Sequence, residues 1–289
     1  MITEVSESDA QTSYPVTRRI YEGRSGPCGS IVIADSPTYG RLLFLDGELQ
    51  SAAADEHIYH ETLVHPVMAA AAAAVSYHHD PSIRVLVVGG GEGATVREVL
   101  KWAPEHVDWI DIDGELVALC REHLGWAPGV YTDPRVRYQA ADIRDALPAL
   151  GQYDAIILDL PDPDGDTGYL YSEPFWRDLR DHMVPGGFIV THCGPVRPFG
   201  SIGGGFQRIL TAEAIRFRTG GFYSQSMPSF QGEWGFMLAS TTDTDPFDFT
   251  TRLYGLPAGL VVADTAQIHS WANKPLIWQT ATQAFTRYV

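Results

Sequence analysis

The sequence predicts an α/β protein, a mostly parallel β-sheet covered by helices and preceded by a small β region. Three observations predict it. After position 82, short apolar runs recur with helical stretches between them, as expected of strands buried on both faces. A glycine-rich turn, Val88-Gly-Gly-Gly-Glu-Gly-Ala94, leaves the first of these runs and opens a helix, an arrangement that brings backbone close to a ligand. From Tyr14 to Gly47, by contrast, the apolar stretches are punctuated by Gly, Pro and Asp-Gly, which is hairpin punctuation.

Composition bounds the function before any motif is read. The chain has 289 residues, so a prior of about 150 residues per domain gives two domains or one large one. Apolar residues make up 45% and charged residues 19%, a globular balance that excludes a disordered or coiled-coil chain. The formal net charge is −16, which repels phosphate polymers and anionic lipid and excludes nucleic acid and membrane surfaces as partners. Such a charge either aids solubility or gathers a cationic substrate. The three cysteines, Cys28, Cys120 and Cys193, have no CxxC spacing, so neither a disulfide framework nor a structural zinc site is expected. The apolar run Val67–Val75 has nine residues, half of the roughly 18 a membrane span needs. With no secretory leader expected in the polar, acidic start Met1–Ser13, the expected location is cytoplasmic.

Residues 1–13 are expected to be a disordered tail, residues 14–76 a β-hairpin domain with a linking helix, and residues 77–289 the catalytic domain. The N-terminal strands are read at 30–34 and 42–45. A helical pattern runs from Asp55 to about Val75, with Ile58, Thr62 and Val64–Met68 recurring every three to four residues. The strands of the parallel series are Val85–Val88, Val107–Ile110, Val136–Gln139, Ala155–Leu158 and Phe188–Val190, with helices at 94–102, 114–124, 144–150 and 172–183. Trp234–Ala239 adds a strand. Residues 241–289 carry no readable motif.

Such sheets bind ligands at the carboxyl ends of their strands, and acids collect there. Glu92 lies inside the glycine turn, where a dinucleotide site would meet a pyrophosphate. Like charges 4 Å apart repel by about 4 kcal/mol at an effective dielectric of 20, so a nicotinamide nucleotide is excluded and a cationic ligand is welcome. Asp111 ends the second strand, where an acid can accept both hydroxyls of a ribose. Asp142 ends the third and either accepts from an adenine amino group, with the Ile143 N–H meeting a ring nitrogen, or caps a helix. Together these three acids describe an adenosine with a positive tail, which S-adenosylmethionine or its decarboxylated form fits.

The fourth strand ends in Leu158-Asp-Leu-Pro-Asp-Pro163, setting Asp159 and Asp162 over that site; Asp162 is also an ordinary turn former. An aliphatic amine with a pKa near 10 is protonated at neutral pH. Freeing its lone pair costs on the order of 4 kcal/mol, which a positioned carboxylate offsets. His60-Glu-Thr-Leu-Val-His65 has one residue too many for HExxH, and a five-residue step turns the two histidines about 140° apart, so no metal is expected. Tyr59 and His60 either face the adenosyl tail and the amine or serve packing.

These residues resemble the polyamine aminopropyltransferases, the spermidine and thermospermine synthase family. The resemblance runs from about Tyr39 to Ser240 through Leu45-Asp-Gly-Glu-Leu-Gln-Ser51, Asp55-Glu-His-Ile-Tyr-His-Glu61, Gly89-Gly-Gly-Glu-Gly93, Asp111-Ile-Asp113, Asp159-Leu-Pro-Asp-Pro163 and Trp234-Gly-Phe-Met237. Glu92 with Ala94-Thr-Val-Arg-Glu98 is most similar to the thermospermine and agmatine branch. The resemblance implies a Rossmann-like methyltransferase-type domain with a small N-terminal β domain, assembled as a homodimer or homotetramer. It implies decarboxylated S-adenosylmethionine as co-substrate and a small cationic amine as acceptor. Asp159 is then the proton acceptor, with Tyr59 as a second catalytic residue, Asp162 is the amine anchor, and Tyr59 and His60 line the substrate channel. Gln50, Gly89, Glu92, Asp111, Ile112, Asp142 and Ile143 hold the donor, with Glu92 at its aminopropyl ammonium.

Some positions depart from the family. Gly29 beside Cys28 stands where relatives have a glutamine near the nucleoside. Thr191-His-Cys-Gly-Pro195 replaces a glutamine and a small residue, and Phe199–Phe206 is unlike the usual acceptor lid. Arg197 is either a solvated loop residue or a guanidinium for a carboxylate. These departures keep intact S-adenosylmethionine as the alternative donor, for an alkyltransferase or cyclase on the same fold.

Overall fold

The computed structural model describes residues 1–5, 11–77, 82–162, 165–197, 201–202, 217, 219–242 and 255–272. Its first strands, β1 (Ile2–Val5) and β2 (Gln11–Tyr14), form an antiparallel pair, so the stretch expected to be a disordered tail contains paired strands. Tyr14 explains the difference. It is 2% exposed and packs with Leu42, Phe44 and Leu49, while its hydroxyl donates to the Ser229 carbonyl at 3.0 Å.

Four antiparallel strands follow in sequence order: β3 (Arg18–Ser25), β4 (Gly29–Ser36), β5 (Gly40–Leu45) and β6 (Glu48–Ala52). Alternation gives this sheet two apolar faces. Leu42 and Phe44 meet Tyr14 on one face, and Ile31, Ile33 and Leu43 meet Leu116, Cys120 and Leu124 on the other. The second contact seats the small sheet on the large domain.

The rest alternates as read from α1 to β11: α1 (Glu56–Tyr77), β7 (Arg84–Gly89), α2 (Ala94–Leu100), β8 (His106–Asp111), α3 (Gly114–His123), β9 (Val136–Ala140), α4 (Ile143–Ala146), β10 (Tyr153–Asp159), α5 (Glu173–Asp181) and β11 (Met183–Arg197); β14 (Gly232–Ser240) is the added strand, while β12 (Ser201–Ile202), β13 (Thr219–Met227) and α6 (Thr265–Ala272) were not expected. The large sheet runs β13-β14-β11-β10-β7-β8-β9. The strands from β11 to β9 are parallel, and β14 and β13 close one side antiparallel.

Parity along each strand sorts the core. Val85, Val87, Trp109, Ile157 and Val190 face α1, α2 and α6, whereas Leu86, Val88, Ile110, Ile156 and Leu158 face α4 and α5. Helix α1, read as a link, buries Leu63, Val64, Val67 and Met68 in the first of these cores.

The differences from expectation have local causes. β11 begins at Met183 rather than 188: Met183 pairs with Tyr153, and the register then shifts before pairing resumes at Phe188, a stretch in which Pro185, Gly186 and Gly187 break a strand pattern. The helix expected over 144–150 is α4 followed by a 3₁₀ turn, Leu147–Ala149. β13, with Gly220 and Gly221, lacked an alternating signature.

The chain steps outward from β7 through β8 to β9, then returns to the other side of β7 for β10 and β11. Strand order therefore reverses between β7 and β10, where Gly89 and Asp159 are register partners. Crevices at such reversals are where open α/β sheets bind ligands.

Candidate active site

Asp159 is held from three directions at the end of β10. The Tyr59 hydroxyl donates to its Oδ1 at 2.9 Å and the Thr95 hydroxyl to its Oδ2 at 2.6 Å, while its carbonyl accepts the Gly90 N–H at 2.9 Å. The glycine turn makes this approach feasible. Gly89 has φ +80°, and a Cβ there would collide with the Asp159 carbonyl oxygen; a Cβ on Gly90 would lie 2.9 Å from Asp159 Oδ2. Burial and the Asp159 charge push the Tyr59 hydroxyl well above its usual range, so Tyr59 is a donor at neutral pH.

A chain of alternating charges runs beneath the turn. Glu56 and His60 share one face of α1 at i,i+4 spacing. The His60 Nδ1 lies 2.9 Å from Glu56 Oε2 and its Nε2 lies 2.9 Å from Glu92 Oε1. Carboxylates only accept, so both ring nitrogens carry protons and His60 is an imidazolium. Burial opposes that charge, yet the hydrogen bonds to Glu56 and Glu92 outweigh it and raise the pKa to about 10. Glu56, likewise buried, is lowered to about 2 by His60 and Arg97. The Arg97 guanidinium grips both Glu56 oxygens at 2.9 Å and the Trp126 carbonyl at 2.7 Å. The sequence left His60 open between facing the amine and packing; here both its ring nitrogens are engaged, by Glu56 and Glu92. Glu92 Oε1 is paired with His60, and no hydrogen bond from a described residue reaches its Oε2.

Asp111 ends β8 on the other side of β7. Its Oδ1 accepts the Asp113 N–H at 2.8 Å, and no hydrogen bond from a described residue reaches Oδ2. Burial first, then the charges of Asp113 and Asp159, raise its pKa to about 7 despite that N–H. The neighbouring Ile112 is 49% exposed, an apolar surface beside a carboxylate. Asp142 caps α4, accepting the Arg144 N–H at 2.8 Å, and its carboxylate pairs with the Arg144 guanidinium at 2.5 Å. That guanidinium lies 3.8 Å over the Tyr169 ring, whose hydroxyl reaches Asp142 at 3.3 Å. Ile143 is buried beside it. Sequence alone left the helix cap open for Asp142, and the cap is present.

Aromatic rings wall the far side of Tyr59. Phe236, His192 and Phe230 have centroids 5.6, 6.3 and 6.4 Å from its ring, and Trp234 stacks on His192. Gln50 lines a small hollow with Asp55, Glu56, Tyr59, Ser229 and Phe230. Asp162 sits just past Asp159; its carbonyl accepts the Thr167 hydroxyl at 2.7 Å. Cys28 lies against Asp113: Ser25 donates to that carboxylate and accepts the Cys28 N–H at 3.2 Å. Burial and Asp113 push the Cys28 thiol upward. Arg197 pairs through its backbone with Ser201, but its side chain and most of Phe199–Phe206 lie outside the described residues.

Sequence reasoning missed Thr95, Glu56 and Arg97. Thr95 follows the glycine turn directly and Glu56 stands four residues before His60; those spacings were the available signals. Among the described residues, Glu61, His65 and Glu98 bring metal-ligand atoms within 4.8 Å of one another, but each is already engaged. Glu61 accepts the backbone N–H groups of Val261, Val262 and Ala263 at 2.7–2.8 Å. His65 accepts the Trp102 indole N–H at Nδ1 and meets Glu98 at Nε2, and Glu98 also pairs with Arg97 and Lys101. A cation there would displace these contacts.

A model of the spermine/spermidine synthase domain matches residues 56–199. The chain is 38% identical over 260 residues to polyamine aminopropyltransferase 2 of Pseudomonas aeruginosa, covering 83% of this chain and 67% of that protein. It is 39% identical over 240 residues to a polyamine aminopropyltransferase of Synechococcus sp., covering 81% and 75%, and 35% identical over 284 residues to that of Aeropyrum pernix, covering 93% and 86%. In fold it is similar to a spermidine synthase solved with the transition-state analogue AdoDATO, with TM-score 0.84 at 24% identity over 99% of this chain and 94% of that one. A spermidine synthase from Thermotoga maritima gives TM-score 0.80 at 22% identity, over 99% and 93%. Relatives 35–39% identical over most of the chain, together with the matching family model, show the family: the chain belongs to the spermine/spermidine synthase family of polyamine aminopropyltransferases.

Proposed function

We infer that this enzyme transfers the aminopropyl group of decarboxylated S-adenosylmethionine to a small cationic amine, with Asp159 as the proton acceptor. The observation that carries this assignment is the Asp159 carboxylate at the strand reversal, its two oxygens met by Tyr59 and Thr95. The acceptor arrives as an ammonium and gives a proton to Asp159. The freed nitrogen lone pair then forms a bond to the donor carbon beside the sulfonium. The carbon–sulfur bond breaks, its electron pair returns to sulfur, and neutral methylthioadenosine leaves with a secondary ammonium as product. Orientation and the carboxylate field supply much of the rate.

The ribose belongs on Asp111, whose Oδ2 is available, and the base lies over Ile112 with Asp142 and the Ile143 N–H at its edge. Gln50 and Gly89 border the donor, Glu92 Oε2 takes its ammonium, and Asp162 anchors the acceptor. Incubating the protein with the decarboxylated donor and putrescine, agmatine or spermidine in turn tests this function. Methylthioadenosine appears with at least one amine; its absence with all three, and with longer polyamines, refutes the assignment.

Intact S-adenosylmethionine is the second reading, and the His60 imidazolium favours it, since a cation beside Glu92 softens the repulsion of a methionine carboxylate. Competition between the two donor forms decides: tighter binding of the decarboxylated form excludes it. Assembly as a homodimer or homotetramer and a cytoplasmic location complete the proposal. No helix among the described residues is long and apolar enough to cross a membrane.

A further inference from the structure

We propose that Thr95 is a positioning residue: its hydroxyl, seated beside the Cβ-free backbone of Gly90, fixes the plane of the Asp159 carboxylate so that a free lone pair faces the incoming amine. This inference rests on the assignment of Asp159 as proton acceptor and gives the glycine turn a second task besides lining the donor.

A carboxylate at a strand end turns about its Cβ–Cγ bond, and a single donor on one oxygen leaves the other free to swing. Tyr59 reaches only Oδ1. Thr95 supplies the second point at Oδ2, 2.6 Å away, and two donors on two oxygens define the carboxylate plane. The donor itself is rigid. Thr95 is fully buried, and a β-branched side chain in a helix has few χ1 choices, so its hydroxyl is aimed before any ligand arrives. Packing alone would be met as well by valine, which has the same shape without the hydroxyl.

The turn conformation points the same way. Gly90 has φ +68°, and a Cβ on it would stand 2.9 Å from Asp159 Oδ2 and 3.5 Å from the Thr95 Cβ, inside the space this contact occupies. Two hydroxyls occupy two of the carboxylate's roughly four lone-pair positions, which leaves positions for the amine proton.

The test compares Thr95→Val, Thr95→Ala and Thr95→Ser with the wild type, reading kcat and KM from methylthioadenosine release and Asp159 geometry from crystal structures of each variant. Thr95→Val and Thr95→Ala should lose at least about tenfold in kcat, with both KM values and methylthioadenosine affinity within about threefold. Thr95→Ser should stay within about threefold of wild type throughout. In the structures, the Asp159 carboxylate should rotate in the valine variant and hold in the serine variant. Wild-type kcat in Thr95→Val, a serine variant as impaired as valine, a loss confined to KM, or an unmoved carboxylate in Thr95→Val would each overturn the proposal. A wild type that releases no methylthioadenosine would refute the assigned reaction instead, while the crystal structures still decide whether Thr95 holds Asp159.

Discussion

Asp159 and Asp111 end the two strands that flank β7, yet they are supported differently. Asp159 meets a hydroxyl at each oxygen. Asp111 has one backbone N–H, and burial together with two neighbouring carboxylates raises it to about 7. The first is completed by the protein and oriented in advance. In the proposed function the second is completed by a ligand, since two ribose hydroxyls would supply further donors. That proposal places chemistry and recognition on opposite sides of one strand.

The largest effect that would break this comparison is at Asp159. Asp159→Asn should lower kcat by about 10²–10⁴, while methylthioadenosine affinity by titration calorimetry changes by less than about threefold. Equal losses in both would mean that the two sides are not separate.

His60 comes next. Its pKa is raised from 6.5 to about 10, so its contribution to stability is complete below about 6.5 and is lost as pH rises through about 10. His60→Gln leaves Glu92 without its cation and should cost about 3 kcal/mol of unfolding free energy at pH 7. The deficit should shrink toward pH 10 in denaturant titrations; a pH-independent deficit would contradict the imidazolium.

Asp111 sharpens the recognition side. Its folded pKa, about 7, lies above the usual 3.8, so the free protein favours the neutral acid and loses stability as pH rises between those values. Ribose hydroxyls favour the ionised form. Methylthioadenosine affinity should therefore increase about tenfold per pH unit up to 7 and level off above it, with Asp111→Asn flat across the range. The smallest effect concerns the rim: Arg144→Ala, an exposed partner of Asp142, should alter nucleoside affinity by less than about threefold.

Legibility in the sequence followed locality. β7 and β10 were readable because a strand buried on both faces is a continuous apolar run, as Val85–Val88 and Ala155–Leu158 are, whereas β9, at the sheet edge, is partly exposed and interrupted by Arg137 and Gln139. β13 and the first five residues of β11 were not readable, because Gly186, Gly187, Gly220 and Gly221 carry no alternation; β13 is held by its pairing with β14, and Met183 by Tyr153. In the site, Asp111 and Asp159 stood out as acids at strand ends. Thr95 resembled any residue opening a helix, and only the register of β7 with β10 brings it to Asp159. The contact of His60 with Glu92 was not legible, since the approach of Glu92 depends on how the glycine turn folds over α1.

The most direct measurement is the pH dependence of methylthioadenosine formation by wild type and Asp159→Asn with a saturating aliphatic amine. With Asp159 accepting the proton, the variant's rate should climb about tenfold per pH unit toward the amine's own pKa near 10, because only amine already neutral reacts, while the wild type changes far less over the same range. Profiles of equal height and slope would contradict the assignment of Asp159 as the base.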